Sequence, residues 1–110
     1  MARISSAGEA QIKVIDVGSG NLIAKISGEL DIVSVTFLED QIADFLGRSA
    51  ARVDLDLSDL EFMDSSGIAL LLRISNQFGP VQMRGAKPLI RRVVEVTGLT
   101  TVFHLDDEPL

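Results

Sequence analysis

From residue 11 onward the apolar side chains follow two periods in turn, one of two residues and one of about 3.6. Ile12, Val14 and Val17, with Ile15 between them, predict a strand over residues 11–17, and Leu22, Ile23, Ala24 and Ile26 predict a second over residues 22–27. Gly18-Ser19-Gly20-Asn21 separates them as a turn signal, so the pair is expected as a hairpin. Gly28-Glu29-Leu30-Asp31 breaks the second strand. Val35, Leu38, Ile42, Phe45 and Leu46 then recur at helical spacing, with Ser34 as the expected N-cap and Gly47 as the stop. Val53, Leu55 and Leu57 alternate with Asp54 and Asp56, which predicts a half-buried strand over residues 51–57.

A second helix follows a polar turn. Ile68, Leu71, Leu72 and Ser75 share one side of it, Leu70 and Ile74 flank them, and Gly79-Pro80 ends it. A short strand is expected over residues 81–84. Lys87-Pro88 opens a third helix whose inner face carries Ile90, Val93, Val94 and Thr97, and Gly98 closes it. Residues 100–103 read as the last strand. The order β-β-α-β-α-β-α-β defines an α/β fold with right-handed crossovers and a mixed, mainly parallel sheet flanked by helices. Residues 1–9 read as a flexible tail, residues 10–105 as one domain, and residues 106–110 as an acidic tail.

Composition narrows the function classes. The 110 residues are 46% hydrophobic and 24% charged, which suits one globular domain with a real core. There is no cysteine, so disulfides and thiolate metal sites are excluded and a reducing compartment is expected. A net charge of −6 argues against nucleic acid, whose phosphates call for Lys and Arg. No apolar run approaches the roughly 20 residues of a membrane span, so the expectation is a cytoplasmic protein without membrane insertion.

The turn at Phe62-Met63-Asp64-Ser65-Ser66-Gly67 is where patterning and chemistry conflict. It joins an apolar strand to an apolar helix, yet holds an acid, two hydroxyls and a glycine. In open α/β sheets such turns gather at the carboxyl ends of the strands, where ligands bind. Asp31 falls on the same rim if the second and third strands are neighbours. No phosphate loop, dinucleotide fingerprint or nucleophile elbow is present. His104, the one histidine, is expected to be an ordinary residue. Asp54, Asp56 and Ser58 imitate the start of a calcium loop, but Asp59 stands where glycine is needed and Ser65 where a bidentate glutamate belongs. No metal, cofactor or catalytic residue is therefore expected.

One reading makes Asp64, Ser65 or Ser66 a helix cap. A second makes Ser65 or Ser66 a phosphate acceptor, since a helix N-terminus favours an anion. Gly67 in the first turn costs up to about 1 kcal/mol against alanine unless something approaches closely. A phosphate would add about −1.5 to −2 charges beside Asp64, and beside Asp31 if it is near. That suits a switchable binding module whose contact surface includes Phe62, Met63 and the turn.

These residues carry a resemblance. Gly28-Glu29-Leu30-Asp31, the run from Asp56 through Phe62-Met63-Asp64-Ser65-Ser66-Gly67, and Thr97-Gly98-Leu99 with Val102-Phe103 resemble the STAS domains, and among them the bacterial anti-sigma factor antagonists. The resemblance implies a protein without enzyme activity. Unphosphorylated, it binds an anti-sigma factor that is also a GHKL-type serine kinase and so releases a sigma factor. Phosphorylation switches it off and a PP2C-type phosphatase restores it. The resemblance places the phosphate on Ser65, with Ser66 second, and assigns partner binding to Asp31, Phe62, Met63, Asp64, Ser65, Ser66 and Gly67. Ala69, where many members have glycine, departs from the pattern, as does Val35-Thr36-Phe37. STAS domains also occur as accessory subunits of ABC lipid-transport complexes, which is the alternative expectation.

Overall fold

The computed structural model describes residues 9–79, 81–101 and 103–106. β1 (Gln11–Gly18) and β2 (Asn21–Leu30) form the expected antiparallel hairpin. Ser19 and Gly20 connect them with φ of 58° and 76°, the left-handed backbone that a tight hairpin turn requires. β2 is the hub of the sheet. Its first half pairs in parallel with β3 (Arg52–Asp56), from Asn21↔Arg52 to Lys25↔Asp56. Its last residues pair in parallel with β4 (Leu60–Met63), from Gly28↔Leu60 to Leu30↔Met63. Beyond β3 lie β5 (Val81–Arg84) and β6 (Phe103–Asp106), both parallel, so the order is β1-β2-β3-β5-β6.

Among the described residues four helices complete the domain: α1 (Ile32–Phe37), α2 (Glu39–Leu46), α3 (Ser65–Phe78) and α4 (Pro88–Val96). Alternate residues of β2 are buried, namely Leu22, Ala24, Ile26 and Leu30, as are Val53 and Leu55 in β3 and Val81 and Met83 in β5. They form one cluster with Ile42 and Phe45 of α2, Leu70, Leu71 and Ile74 of α3, and Ile90 and Val94 of α4. The Phe45 and Phe78 rings stack at 5.1 Å between centroids and tie α2 to α3. Arg73 of α3 donates to Glu39 at the start of α2 at 2.9 Å and holds that carboxyl below its ordinary range. The intervening strand residues keep partial exposure, so the helices cover one face of the sheet only.

Four expectations change. The first helix is capped by Asp31, three residues before Ser34, and Leu38 breaks it into α1 and α2. Ser34 sits at the third helical position, because the Asp31 carboxylate reaches its N–H and outcompetes the hydroxyl as a cap. Gly28 does not end β2. It takes φ of 88°, shifts the register and lets the strand run on to Leu30. A Cβ there would collide with the Glu9 carbonyl, so only glycine lets the chain pass. β4 is a short strand that the sequence pattern did not separate from the turn, because four residues with an irregular burial pattern show no period. The last strand starts at Phe103, and Leu99–Thr101 forms a 3-10 turn. The expectations for residues 1–8 and 107–110, and for Pro80 and Val102, lie outside the described residues.

Candidate functional site

Two strand-to-helix turns meet at the carboxyl end of β2. One is β2–α1, through Asp31; the other is β4–α3, through Asp64. The Asp64 N–H donates to the Leu30 carbonyl at 3.1 Å, and Leu30 and Met63 are register partners. The pairing of β2 with β4 thus brings Asp31 and Ser65 to one rim, as expected if the strands were neighbours.

Both aspartates are helix caps in extended backbone. The Asp31 carboxylate accepts the Ser34 N–H at 2.8 Å, and the Asp31 N–H donates to Ser34 Oγ at 2.9 Å, a reciprocal capping box. Ser34 Oγ lies 2.7 Å from the Glu29 carbonyl that accepts its proton. The Asp64 carboxylate accepts the Ser66 N–H at 2.8 Å. Each cap satisfies a helical N–H that would otherwise be orphaned, a contribution of about 1 kcal/mol.

The hydroxyls differ in consequence. Ser66 is half-buried, whereas Ser65, the first residue of α3, is exposed. Neither hydroxyl has a hydrogen-bond partner among the described residues, so exposure is what separates them. Gly67 is buried at the third helical position. A Cβ there would overlap the Met63 side chain and lie 2.9 Å from Leu30 Cβ. Gly67 is thus required by the approach of α3 to β2 and β4, and the cost of glycine in a first turn is offset by that packing.

The seven residues singled out in the sequence divide accordingly. Asp31, Asp64, Ser65, Ser66 and Phe62 reach the surface, while Met63 and Gly67 are buried beneath it and position the turn. Periodicity did not single out Ile32 and Val33, which are 65% and 67% exposed beside the same rim. The signal was available: consecutive residues of a helix lie about 100° apart, so two adjacent apolar residues followed by a polar one need not both face the core. Leu89 at the start of α4 is also exposed, and the Lys87–Glu61 pair at 3.1 Å joins α4 to β4. On the adjoining loop, Lys25 bonds Asp59 at 2.8 Å; the ammonium holds the Asp59 carboxyl below its ordinary range. The arrangement is an exposed hydroxyl on an acidic edge, with apolar side chains around it. Among the described residues no group of three His, Asp or Glu side chains could hold a metal ion, and no helix is long and apolar enough to cross a membrane.

Comparison with known proteins agrees with this architecture. The family model described as Mlab, STAS domain, matches residues 19–105, so the chain belongs to the STAS domain family. Its relatives include anti-sigma factor antagonists. The chain is 30% identical over 93 residues to the putative anti-sigma factor antagonist BtrV of Bordetella bronchiseptica, covering 81% of this chain and 80% of that one. The crystal structure of an anti-sigma factor antagonist from Mycobacterium paratuberculosis superposes with a TM-score of 0.77 at 29% identity, covering 97% of this chain and 92% of the other. SpoIIAA in its unphosphorylated form, at 23% identity and a TM-score of 0.70, covers 89% and 90% and shares the fold.

Proposed function

We propose that this chain is an anti-sigma factor antagonist switched by phosphorylation of Ser65. The observation that carries the reading is the state of the Ser65 hydroxyl: exposed, at the head of α3, and uncommitted while the side chains of Asp31, Ser34 and Asp64 are bound into caps. Unphosphorylated, the rim offers Phe62, Ile32 and Val33 for apolar burial against an anti-sigma factor, and the sigma factor is released. The anti-sigma factor is a GHKL-type kinase. Ser65 Oγ attacks the γ-phosphorus of ATP, the bond to ADP breaks, and the hydroxyl proton passes to a base of the kinase. A PP2C-type phosphatase hydrolyses the ester with water and returns the hydroxyl and inorganic phosphate. The chain itself is substrate and ligand, with no catalysis of its own, and works in the cytoplasm.

The geometry supports a switch without refolding. A phosphate on Ser65 adds about −1.5 to −2 charges to an edge that already holds Asp31 and Asp64. Asp64 already takes the Ser66 N–H, so the new charge meets an occupied cap and stays outward. Buried against an apolar or acidic surface, it costs more than the ~2.7 kcal/mol that a hundredfold loss of affinity requires. Incubation with a cognate GHKL kinase and ATP, followed by mass spectrometry, is the test. Phosphate on Ser65 is the expected result. A chain that takes no phosphate and binds no anti-sigma factor, yet binds a transporter ATPase equally well as Ser65→Asp, would instead be an ABC-transport subunit.

A further inference from the structure

The two edges of the sheet are unlike. At one edge β6 has four residues; at the other β1 has eight, with no proline, one lysine and a register shift only at its last residues. Short strands, lysines, prolines and bulges are the usual means of keeping an edge from pairing with another chain. Among the described residues, the backbone-to-backbone bonds of residues 11–18 run only to β2. The outward N–H and C=O groups of β1 can therefore take a further strand.

Cover over β1 is uneven. Ile12 and Val14 are half-buried, and with Gln41, Asp44, Phe45 and Arg48 of the α2 segment they line a groove of about 170 Å³. From Ile15 onward every residue of the strand is exposed, Ile15 by 44% and Val17 by 53%. Asp16 and Gly18 alternate onto the same side of the strand as Ile12 and Val14, yet both are exposed. Arg48 is exposed as well, and its side chain has no ion-pair or hydrogen-bond partner among the described residues.

We infer that β1 is a self-association edge, pairing antiparallel with β1 of a second copy about a two-fold axis normal to the sheet. Such an axis keeps both helical layers on one side and opposes only residues of the same face, so the register is centred on a residue. Centring on Lys13 or Asp16 sets like charges opposite each other, which is destabilising. Centring on Ile15 opposes Ile15 to Ile15. Ile23 is the β2 partner of Ile15, so an apolar row Ile23-Ile15-Ile15-Ile23 then crosses the junction. Centring on Val14 sets Ile15 against Lys13 and breaks that row. The Ile15 register also places Asp16 of one copy opposite Val14 of the other, at the mouth of the groove that Arg48 lines. Asp16 and Arg48 thus pair twice, once in each direction, and the exposed half of each strand lies beside the half that α2 covers in the other copy. A continuous apolar row with reciprocal charges is what a second copy supplies, and it selects that occupant over an unrelated strand. Pairing at this edge does not depend on the state of Ser65.

Sedimentation of the full chain between about 10 μM and about 1 mM is the test. A monomer–dimer equilibrium is expected, with the amide signals of Gln11–Gly18 and Arg48 in the ¹⁵N-labelled chain moving as concentration rises. Ile15→Lys, at an exposed position, sets two ammonium groups against each other and should weaken dimerisation about tenfold with the remaining spectrum intact. Asp16→Lys and Arg48→Glu should each weaken it, and the two together should restore it, a rescue that a merely structural role of either residue would not give. Ser65→Asp should leave it unchanged. The proposal is overturned by a monomer throughout the range, by a dimer indifferent to Ile15→Lys, by charge reversals that add instead of cancelling, or by concentration-dependent shifts at β6 or α1 in place of β1. Slow amide exchange along the outer edge of β1 at every concentration would also overturn it, since a segment of the same chain would then be the occupant.

Discussion

The turns β2–α1 and β4–α3 are built alike, and one difference between them decides whether a serine hydroxyl is spent in the cap. Each leaves a parallel strand, passes an aspartate in extended backbone and starts a helix. In the first, the third helical residue is Ser34, which reaches back to the Asp31 N–H and closes a box. In the second, the third residue is Gly67, which has nothing to reach back with. The Asp64 N–H is taken instead by the Leu30 carbonyl of the neighbouring turn. The glycine serves close packing, and the serine hydroxyl two positions earlier is left free. A hydroxyl spent in a cap and one left exposed thus differ here by where they fall on the first turn.

Kinase chemistry should break this comparison most visibly. Ser65→Ala is expected to abolish phosphate incorporation by a cognate kinase, whereas Ser34→Ala should leave it intact; intact-mass measurement before and after the reaction distinguishes the two. Equal incorporation in both variants would sink the assignment.

Next in size is the packing under the second turn. Gly67→Ala forces Met63 and Leu30 apart and should cost about 1–3 kcal/mol, which lowers the melting temperature by several degrees in thermal unfolding. An unchanged melting temperature would mean that α3 can ride outward at no cost.

The caps follow. Asp31→Ala and Asp64→Ala should each destabilise by about 1 kcal/mol in urea titrations. The two losses should be similar, because the bond from the backbone N–H of residue 31 to Ser34 Oγ survives in Asp31→Ala. A loss confined to one variant would show that the other cap is not formed in solution.

The smallest effect concerns two surface ion pairs away from the turns, Lys25–Asp59 and Arg73–Glu39. Lys25 lowers the Asp59 carboxyl and Arg73 lowers that of Glu39. A lowered folded-state value means stability that is present above the ordinary carboxylate range and is lost as pH falls through it. Arg73→Ala should therefore flatten the acid limb of the stability curve slightly, and high salt should do the same.

Much of the fold was legible in the residues. The hairpin, the helices and most strands follow from periods of two and 3.6, and the polar turn at 62–67 stood out as a site because apolar segments flank it. Tertiary competition accounts for what was not legible. Ser34 is a good cap by type, but Asp31 is in reach of its N–H, and which side chain wins is a matter of backbone geometry. β4 has no period of its own and exists because β2 continues past Gly28 to pair with it.

By itself, the sequence determined an α/β domain with one chemically loaded turn, because burial periodicity and residue chemistry are local. That Ser65 is more exposed than Ser66, and why Gly67 is glycine, were decided only by the tertiary structure. Each depends on which distant segment, β2 above all, lies against the residue, and no local pattern records that.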